Sequence, residues 1–334
     1  MQAKEAAEVE IIRLLKAGKD SYISGQALSA ALGVSRTAVW KHIEKAREMG
    51  FSIEALPSKG YRLNTSADAP FNGIEVSSGL ETGFIGRNIC FYPSLDSTNM
   101  KAFELGRQGA PEGTAVIADS QTGGKGRLGR RWESPAGANL YTSIILRPGI
   151  PPRHAHNLTF LSAVAVAETV ERFSPVRPTV KWPNDILLDG KKVAGILMEM
   201  DSEPDRVHFV VAGIGVNINI KVTAFPDRLR PMATSLYEKS GKETNRAVFT
   251  CVLYSSLEKW YKVYREKGFL PLMEAWKGFF ASVGKTVTVR SFDSVIEGVC
   301  LGVDDDDGAL LVKTRAGAIE RVVSGDVEIK RDGL

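Results

Sequence analysis

The sequence predicts an α+β fold class, with the chain divided into three parts. Its 334 residues are enough for two domains and leave room for a third, smaller one. Apolar side chains follow helical spacing near the N-terminus, strands and helices mix without regular alternation in the middle, and short alternating strands follow from about Val283. With 43% hydrophobic and 25% charged residues, the composition excludes wholesale disorder, a collagen-like repeat and a coiled coil.

Composition also predicts the compartment and the classes of partner. No apolar run approaches the ~20 residues that a membrane-spanning helix needs, and the N-terminus lacks a signal-peptide core. We therefore expect a cytoplasmic protein that makes no membrane contact. Cys90, Cys251 and Cys300 form no CxxC pair, so buried thiols are expected and not a disulfide framework or a zinc site. A net charge of +4 means that any binding of nucleic acid or phosphate requires local clusters of Lys and Arg.

The first 66 residues predict three helices and a hairpin. Apolar residues at helical spacing indicate a first helix from Glu5 to Ala17, and a second follows Ser24 and ends at Gly33. A third helix is expected to be capped by Ser35 and to run to Met49–Gly50. Helix, glycine-containing turn and helix is the arrangement of DNA-reading motifs.

The third predicted helix has an apolar and a polar face. Val39, Ile43 and Ala46 point inward, whereas the outward face carries Arg36, Thr37, Lys41 and Glu44. Residues 51–55 and 60–63 alternate like two strands and predict a wing. Together they indicate a winged helix-turn-helix, although three-helix units of this size also serve as protein-docking domains. The residues expected to bind DNA are Ser35, Arg36, Thr37 and Lys41.

A polar stretch, residues 64–70, predicts a linker to the middle of the chain. Strands are expected at residues 89–92, 114–118, 140–146, 193–200 and 207–213, and helices at 100–108 and 156–173. Strands that do not alternate regularly with helices indicate a mixed sheet in an α+β domain.

A glycine- and arginine-rich segment is the strongest local signal in this middle part. Residues 123–131 contain four glycines and four cations and no acid. Glycines allow close approach of the backbone to a phosphate, and guanidinium groups neutralise its charge, so we expect a phosphorylated ligand. The alternative is a plain flexible surface loop.

The same segment spells GxGxxG, yet its context excludes the dinucleotide fingerprint. The following residues, Trp132 to Gly137, break a helix where that fingerprint opens one, and no acid follows ~20 residues later. The Walker pattern with its Gly-Lys-Ser/Thr is also absent from the sequence. The loop is therefore expected to hold a phosphate without a Rossmann unit.

Five motifs in order resemble those of the biotin protein ligases, and in particular the bifunctional biotin operon repressors. They are Asp96–Asn99, Gln121–Trp132, Lys181–Asp185, Lys192–Leu197 and Gly213–Asn217. The N-terminal winged helix-turn-helix points to the repressor branch. The resemblance implies a DNA-binding domain over residues 1–66, a catalytic domain over 67–281 and an SH3-like β-barrel over 282–334.

The resemblance also implies roles for individual residues. Biotin is expected to contact Ser97, Thr98, Asn99, Gln121, Lys125, Gly126, Arg127 and Lys192. ATP is expected to contact Arg127, Arg130, Trp132, Lys181, Asn184 and Asn217. Lys192 and Arg127 are the implied catalytic residues, and Asp185 is the implied Mg²⁺ ligand or a partner that orients Lys192. Taken without the resemblance, Lys192 fits a solvated turn lysine, and the corner at 181–185 fits a structural turn.

The implied reaction joins biotin to a carrier protein in two steps. Biotin and Mg·ATP give biotinyl-5'-adenylate, and a lysine of the biotin carboxyl carrier protein of acetyl-CoA carboxylase then receives the biotinyl group. The implied partners also include operator DNA and a second copy of the chain in a ligand-linked homodimer. Two rivals remain open: a repressor that binds the adenylate but ligates poorly, and a ligase for a related acyl cofactor such as lipoate.

The C-terminal part is expected to follow two scaffold helices between Asn245 and Phe280. Its predicted interior consists of Val287, Val289, Val299, Leu301, Val303, Leu311, Ile319, Val322 and Ile329. Four consecutive aspartates, Asp304–Asp307, lack the alternating spacing of a calcium loop and predict a solvated hairpin turn.

Overall fold

The structure, a computed structural model, describes residues 6–64, 69–291 and 294–329. It confirms the predicted fold class: a winged helix-turn-helix, a central mixed sheet with helices, and a C-terminal antiparallel sheet. The implied boundary at residues 66 and 67 lies outside the described residues. No helix within the described ranges is long and apolar enough to span a membrane.

The N-terminal part consists of three helices and a two-stranded hairpin. The elements are α1 (Ala6–Ala17), α2 (Gly25–Leu32), α3 (Arg36–Glu48), β1 (Ile53–Leu56) and β2 (Gly60–Leu63). The predicted cap at Ser35 is confirmed, because its hydroxyl accepts a hydrogen bond from the backbone N–H three residues later, and Ser24 caps α2 in the same way. Gly33 ends α2 with a φ of 65°, a conformation that glycine adopts without steric cost. The predicted first residue of helix one, Glu5, lies outside the described residues.

Helix α4 (Gly73–Gly79) was not predicted, and it joins the N-terminal part to the centre. Ile74 packs in the N-terminal core, which extends from Ile11 to Ile74, whereas Val76 belongs to the core of the rest of the molecule. The Lys16 ammonium on α1 lies 2.7 Å from the Glu75 carboxylate, and that carboxylate is only 5% exposed. The joint is therefore both apolar and ionic.

The central sheet has seven strands in the order β3-β4-β5-β9-β8-β7-β6. Among its described pairs, only β3 and β4 run parallel, so the sheet is mixed as predicted. The strands are β3 (Ile89–Leu95), β4 (Ala115–Gln121), β5 (Leu140–Leu146), β6 (Thr179–Lys181), β7 (Asp185–Leu188), β8 (Lys191–Ser202) and β9 (Val207–Val216).

Helices cover both faces of this sheet. Helix α5 packs on one face through a small core that includes Ala102, Val116 and Phe209. The opposite face is covered by α6, which in turn packs against α8 and α9. The helices are α5 (Thr98–Arg107), α6 (Asn157–Phe173), α7 (Leu236–Ser240), α8 (Arg246–Lys267) and α9 (Leu270–Lys277).

The C-terminal part is a five-stranded antiparallel sheet in the order β13-β12-β11-β10-β14. Its strands are β10 (Thr286–Arg290), β11 (Val295–Val303), β12 (Leu310–Thr314), β13 (Ile319–Val322) and β14 (Asp326–Ile329). Val287, Val312 and Val327 belong to the same core cluster as the central domain. The central and C-terminal parts thus share one continuous core.

The predicted interior of this sheet was wrong at three positions. Val299, Leu301 and Ile319 are 39%, 41% and 60% exposed, and Cys300 is fully buried in their place. A β-bulge between Cys300 and Gly302 shifts the alternation, so Cys300 before it and Val303 after it both face the core.

The acidic turn Asp304–Asp307 connects β11 to β12 and carries salt bridges. Arg321 pairs with Asp304 and Asp307 at 3.2 and 3.1 Å, and Lys277 pairs with Asp305. No group of three metal-ligating side chains occurs in the part of the chain that the structure describes. Asp304, Asp305 and Asp307 therefore have cationic side-chain partners.

Candidate active site

A cavity of about 460 Å³ opens where α5 begins, β4 ends, and β8 and β9 lie side by side. The apolar part of its wall is formed by Ile196, Leu197 and Ile214, and the polar part by side chains from α5, the glycine-rich loop and β8. The lining residues are Ser97, Thr98, Asn99, Gln121, Lys125, Gly126, Arg127, Trp132, Tyr141, Asn184, Lys192, Gly195, Ile196, Leu197, Gly213, Ile214 and Gly215.

At the polar end, Gln121 connects α5 to the glycine-rich loop. Its carbonyl oxygen accepts from the backbone N–H of Thr98 at 2.9 Å, and its amide donates to the Ser134 hydroxyl at 2.9 Å. The Ser134 hydroxyl in turn donates to the carbonyl of Trp132 at 3.0 Å. The first turn of α5 is thereby held against the loop that follows β4.

The side chain of Asn99 forms hydrogen bonds with three groups of the protein. Its amide donates to the Leu197 carbonyl at 3.2 Å and to the Glu199 carboxylate at 2.9 Å. Its carbonyl oxygen lies 2.6 Å from the hydroxyl of Ser143, which is fully buried and also contacts the Thr98 hydroxyl at 2.8 Å. With its polar atoms engaged in this way, Asn99 orients the wall of the cavity.

The glycines of β8 and β9 make room for the side chains above them. A Cβ atom at Gly213 would collide with the Asn99 amide, and one at Gly215 would come within 2.6 Å of the Trp132 ring. Side chains at these two positions would displace Asn99 and Trp132. The Gly213–Gly215 motif therefore serves packing of the site as well as access to its backbone.

Lys192 lies at the cavity wall with three sets of contacts. Its ammonium is 2.6 Å from the Asp185 carboxylate and 5.2 Å from the centre of the Trp132 ring. Its backbone exchanges hydrogen bonds with Met232 and Thr234, at 2.8 and 2.9 Å. The lysine thus has an anionic partner and a fixed backbone, which is more order than a solvated turn lysine would have.

The glycine-rich loop closes the cavity and contacts the C-terminal sheet. Arg127 makes long hydrogen bonds of 3.4 Å to Asn184 and 3.3 Å to Ser324, and Arg130 pairs with Asp326. Burial lowers the pKa of the Arg127 guanidinium, with Asp326 and Asp185 opposing that effect, and such a group stays protonated at neutral pH. A permanent cation therefore faces the cavity from this loop.

The structure brings most of the predicted site residues together and leaves four outside the lining. Arg130, Lys181, Asp185 and Asn217 do not line the cavity. Asp185 acts on it through Lys192, and the buried Asn217 amide donates to the Thr234 carbonyl at 3.0 Å, in the segment that pairs with Lys192. Sequence reasoning missed Tyr141, Ser134 and Ser143, because they resemble ordinary strand and loop residues.

The predicted DNA-binding residues occupy the start of α3. Ser35, Arg36, Thr37 and Lys41 are all exposed. The Ser35 hydroxyl is engaged in capping the helix. These side chains form one accessible polar surface at the N-terminal end of α3, remote in sequence from the cavity.

Three family models match the chain in the order of its three parts. They are an HTH domain over residues 9–62, the biotin/lipoate A/B protein ligase family over 91–217 and the biotin protein ligase C-terminal domain over 283–330. A solved structure of the biotin protein ligase from Aquifex aeolicus in complex with biotin and ATP covers 74% of this chain and all of that chain, with 29% identity and a TM-score of 0.63. The fold and the cavity are therefore those of a biotin-type protein ligase that carries a DNA-binding domain.

Full-length relatives define the family more closely. The bifunctional ligase/repressor BirA of Bacillus subtilis is 41% identical over 320 residues, which are 96% of this chain and 98% of that protein. BirA of Escherichia coli is 29% identical over 96% of this chain and 97% of its own length, and the biotin–[acetyl-CoA-carboxylase] ligase of Paracoccus denitrificans is 35% identical over 66% of this chain and 92% of its own. The chain belongs to the family of bifunctional biotin ligase/repressors.

Proposed function

We propose that this protein activates biotin with ATP, transfers it to a carrier protein, and uses the intermediate to control DNA binding. The observation that carries the proposal is one cavity that combines an apolar wall, a hydrogen-bonding end and three cations, Lys125, Arg127 and Lys192. That cavity lies in a chain that also has a winged helix-turn-helix. The relatives named as bifunctional ligase/repressors support both halves of the proposal.

The polar end of the cavity favours biotin over lipoate. Ser97, Thr98 and Gln121 offer hydroxyl and amide groups there, and a ureido ring has two N–H donors and one strong acceptor to match them. The dithiolane ring of lipoate has no such groups, so it would gain none of the hydrogen bonds that a ureido ring makes at this end of the cavity. The valeryl chain of biotin suits the wall of Ile196 and Ile214.

Adenylation requires two anions to meet. The biotin carboxylate attacks the α-phosphate of ATP, an O–P bond forms, the bond to the leaving pyrophosphate breaks, and biotinyl-5'-adenylate results. Lys192 and Arg127 face the same cavity and would stabilise the charge that develops on the phosphate oxygens. No protein nucleophile is needed, so positioning and charge supply the catalysis.

The second step transfers the biotinyl group to the carrier. A lysine ε-amine of the biotin carboxyl carrier protein attacks the acyl carbon, an amide forms, and AMP leaves with the bonding electron pair. The relative from Paracoccus denitrificans, named as a biotin–[acetyl-CoA-carboxylase] ligase, supports acetyl-CoA carboxylase as the source of this carrier. Positioning of the mixed anhydride by the loop would also exclude water from the acyl carbon.

Mg²⁺ would accompany ATP, and the residues present are compatible with it. Magnesium sites of nucleotide enzymes commonly use one or two carboxylates together with substrate phosphates and water. Asp185 has one carboxylate oxygen on Lys192 and would offer its second oxygen to the metal. The ion would neutralise phosphate charge, and Asp185 would also orient the Lys192 ammonium.

We further propose that the adenylate favours a homodimer. A single winged helix with a few exposed cations, Arg36 and Lys41 among them, binds DNA weakly at physiological salt. Two copies would present two recognition helices to the half-sites of a palindrome. Ordering of the glycine-rich loop by the adenylate would link occupancy of the cavity to dimerisation, and carrier protein would relieve repression by consuming the adenylate.

Incubation of the protein with ATP, Mg²⁺, labelled biotin and an apo carrier domain tests the ligase. We expect label on the carrier with biotin and not with labelled lipoate. Formation of the adenylate without transfer would favour the non-ligating repressor, and transfer of lipoate would favour the related ligase.

A gel-shift titration of a biotin-gene promoter, with and without biotin and ATP, tests the repressor. Equal affinity in both conditions would overturn it.

A further inference from the structure

Trp40 lies on the surface of the third helix and is not part of the hydrophobic core of the N-terminal module. Its side chain is 52% exposed, whereas the other four tryptophans of the chain are buried or half-buried. The inward face of α3 is complete without it, because Val39, Ile43 and Ala46 are all fully buried. Within the described residues, no ring stacking or cation–π contact involves Trp40. Trp40 is therefore a large aromatic side chain on the outward face of α3 that the hydrophobic core of the module does not include.

The neighbours of Trp40 indicate what would cover it. Trp40 follows Arg36 by four residues and Thr37 by three, so these side chains lie on the same side of the helix. Lys41 follows directly, and all four residues are exposed. An aromatic ring on the same side of the helix as a cation and a hydroxyl, with a second cation at the adjacent position, suits a polyanion that also displays apolar groups. A membrane surface would lack the hydrogen-bonding edges that Arg36 and Thr37 match, whereas the major groove of DNA has them.

We infer that Trp40 contacts the C5-methyl group of a thymine in the major groove and contributes to the choice of operator sequence. The inference rests on the proposed repressor function. The N-terminal residues of a recognition helix are those that reach base edges, and Trp40 lies on the second turn of α3. Thymine is the one base that carries a methyl group in this groove, so an indole ring distinguishes it by apolar contact alone. Arg36 and Lys41 would supply the phosphate or guanine contacts on either side.

The test uses the full-length protein with biotin, ATP and Mg²⁺ present, and a duplex that carries the promoter of the biotin biosynthesis genes. Trp40→Ala should weaken operator binding about tenfold, and Trp40→Phe should restore part of the affinity. Both variants should retain wild-type carrier biotinylation and wild-type helix content, because the core of the module does not include Trp40.

A second set of duplexes, with deoxyuridine in place of thymidine at one position in each half-site, removes single methyl groups. At the contacted thymine, the change should weaken binding of the wild type about threefold or more and leave Trp40→Ala unaffected. Equal operator affinity of wild type and Trp40→Ala, or equal deoxyuridine penalties for both at every position, would overturn the inference.

The controls separate this inference from the function on which it rests. If the wild type binds the promoter specifically and Trp40→Ala matches it, only the role of Trp40 fails. If the wild type shows no specific binding, the repressor proposal itself fails. Loss of binding by Trp40→Ala with unchanged deoxyuridine penalties would assign Trp40 to a non-base contact and would also overturn the inference.

Discussion

At the scale of single residues, Lys192 is the side chain on which the proposed chemistry depends most. Its ammonium is 2.6 Å from Asp185 and faces the cavity that Arg127 closes. We expect Lys192→Ala to lower the rate of pyrophosphate release by about 10²–10³-fold, because a positioned donor to a developing charge is worth that much. Biotin affinity should change far less, since we propose that the ring system binds at the opposite end of the cavity.

Lys191→Ala is the matched control, because Lys191 is the adjacent lysine and does not line the cavity. Pyrophosphate release and equilibrium binding of labelled biotin, measured on both variants, separate the two effects. Near wild-type adenylation by Lys192→Ala would return attention to Lys181 or Lys191 as the cation at the phosphate.

The lowered pKa of Glu258 should make the free energy of unfolding depend on pH. Burial alone would raise the pKa of this 5% exposed carboxyl, but hydrogen bonds from Lys262 and from the backbone N–H groups of Phe84, Gly83 and Ile85 lower the pKa to about 2. A depressed pKa stabilises the fold above the ordinary glutamate pKa of about 4.3, by on the order of 3 kcal/mol. We expect that contribution to be lost as pH falls from about 5 to about 2.

Urea unfolding at several pH values measures this effect. Glu258→Gln should have a lower free energy of unfolding at pH 7 and a flatter dependence on pH than the wild type. Glu266→Gln, at an exposed position on the same helix, is the control and should resemble the wild type. Parallel pH curves for Glu258→Gln and the wild type would contradict the assignment.

At the scale of elements, two arginines of the glycine-rich loop have different surroundings. Arg127 faces the cavity and is half-buried, whereas the Arg130 side chain is 67% exposed and pairs with Asp326. Exposed ion pairs contribute about 0–1 kcal/mol, so Asp326→Ala should speed release of biotinyl-adenylate by less than about fivefold. Arg127→Ala should speed it at least about tenfold, since it removes a cation from the ligand. Release of labelled adenylate from both variants checks this, and equal rates would contradict it.

The ion pair between Lys16 on α1 and Glu75 on α4 should couple the DNA-binding part energetically to the central part. Lys16→Ala would leave the buried Glu75 carboxylate without its cation, at a cost of about 1–3 kcal/mol. Adding Glu75→Gln to that variant should recover much of the loss, because a neutral amide is cheaper to bury than an unpaired charge. Thermal unfolding of the two single variants and the double variant gives the coupling energy. Additive effects would mean that the pair does not hold the joint.

The elements that sequence reasoning predicted are those whose signals are local. Ser35 and Gly33 act within one helical turn, so the start of α3 and the end of α2 were predicted. Helix α4 was missed because its stabilisation comes from contacts with α1 and α8, which are distant in sequence. The interior of β11 was misassigned because a bulge interrupts an otherwise regular alternation.

The features of the site also divide into those that local sequence signals predicted and those that depend on the fold. Its glycine-rich loop was predicted from charge and glycine content, and the role of Lys192 rested on resemblance to a family. Ser143 was not predicted, since it is an ordinary strand serine until the fold places it under Thr98 and Asn99, about 45 residues away in the chain.

At the scale of the whole molecule, the two largest hydrophobic cores do not follow the three parts of the sequence. One cluster runs from Val76 through the central sheet to Val327, and the other runs from Ile11 to Ile74. The central and C-terminal parts should therefore melt as a single cooperative unit, while the DNA-binding part melts separately. We expect two heat-absorption peaks in scanning calorimetry of the full chain.

Biotin and ATP should then move one peak and leave the other in place. We expect them to bind the larger unit, and at 100 times its dissociation constant a ligand adds about 2.7 kcal/mol to the unit that binds it. In the absence of DNA, the larger peak should therefore rise in temperature while the smaller stays in place. A single peak that moves as a whole with these ligands would show that α4 fuses the cores into one melting unit. The seven-residue helix α4, Gly73–Gly79, thus decides whether the ligase part and the DNA-binding part unfold at one temperature or at two.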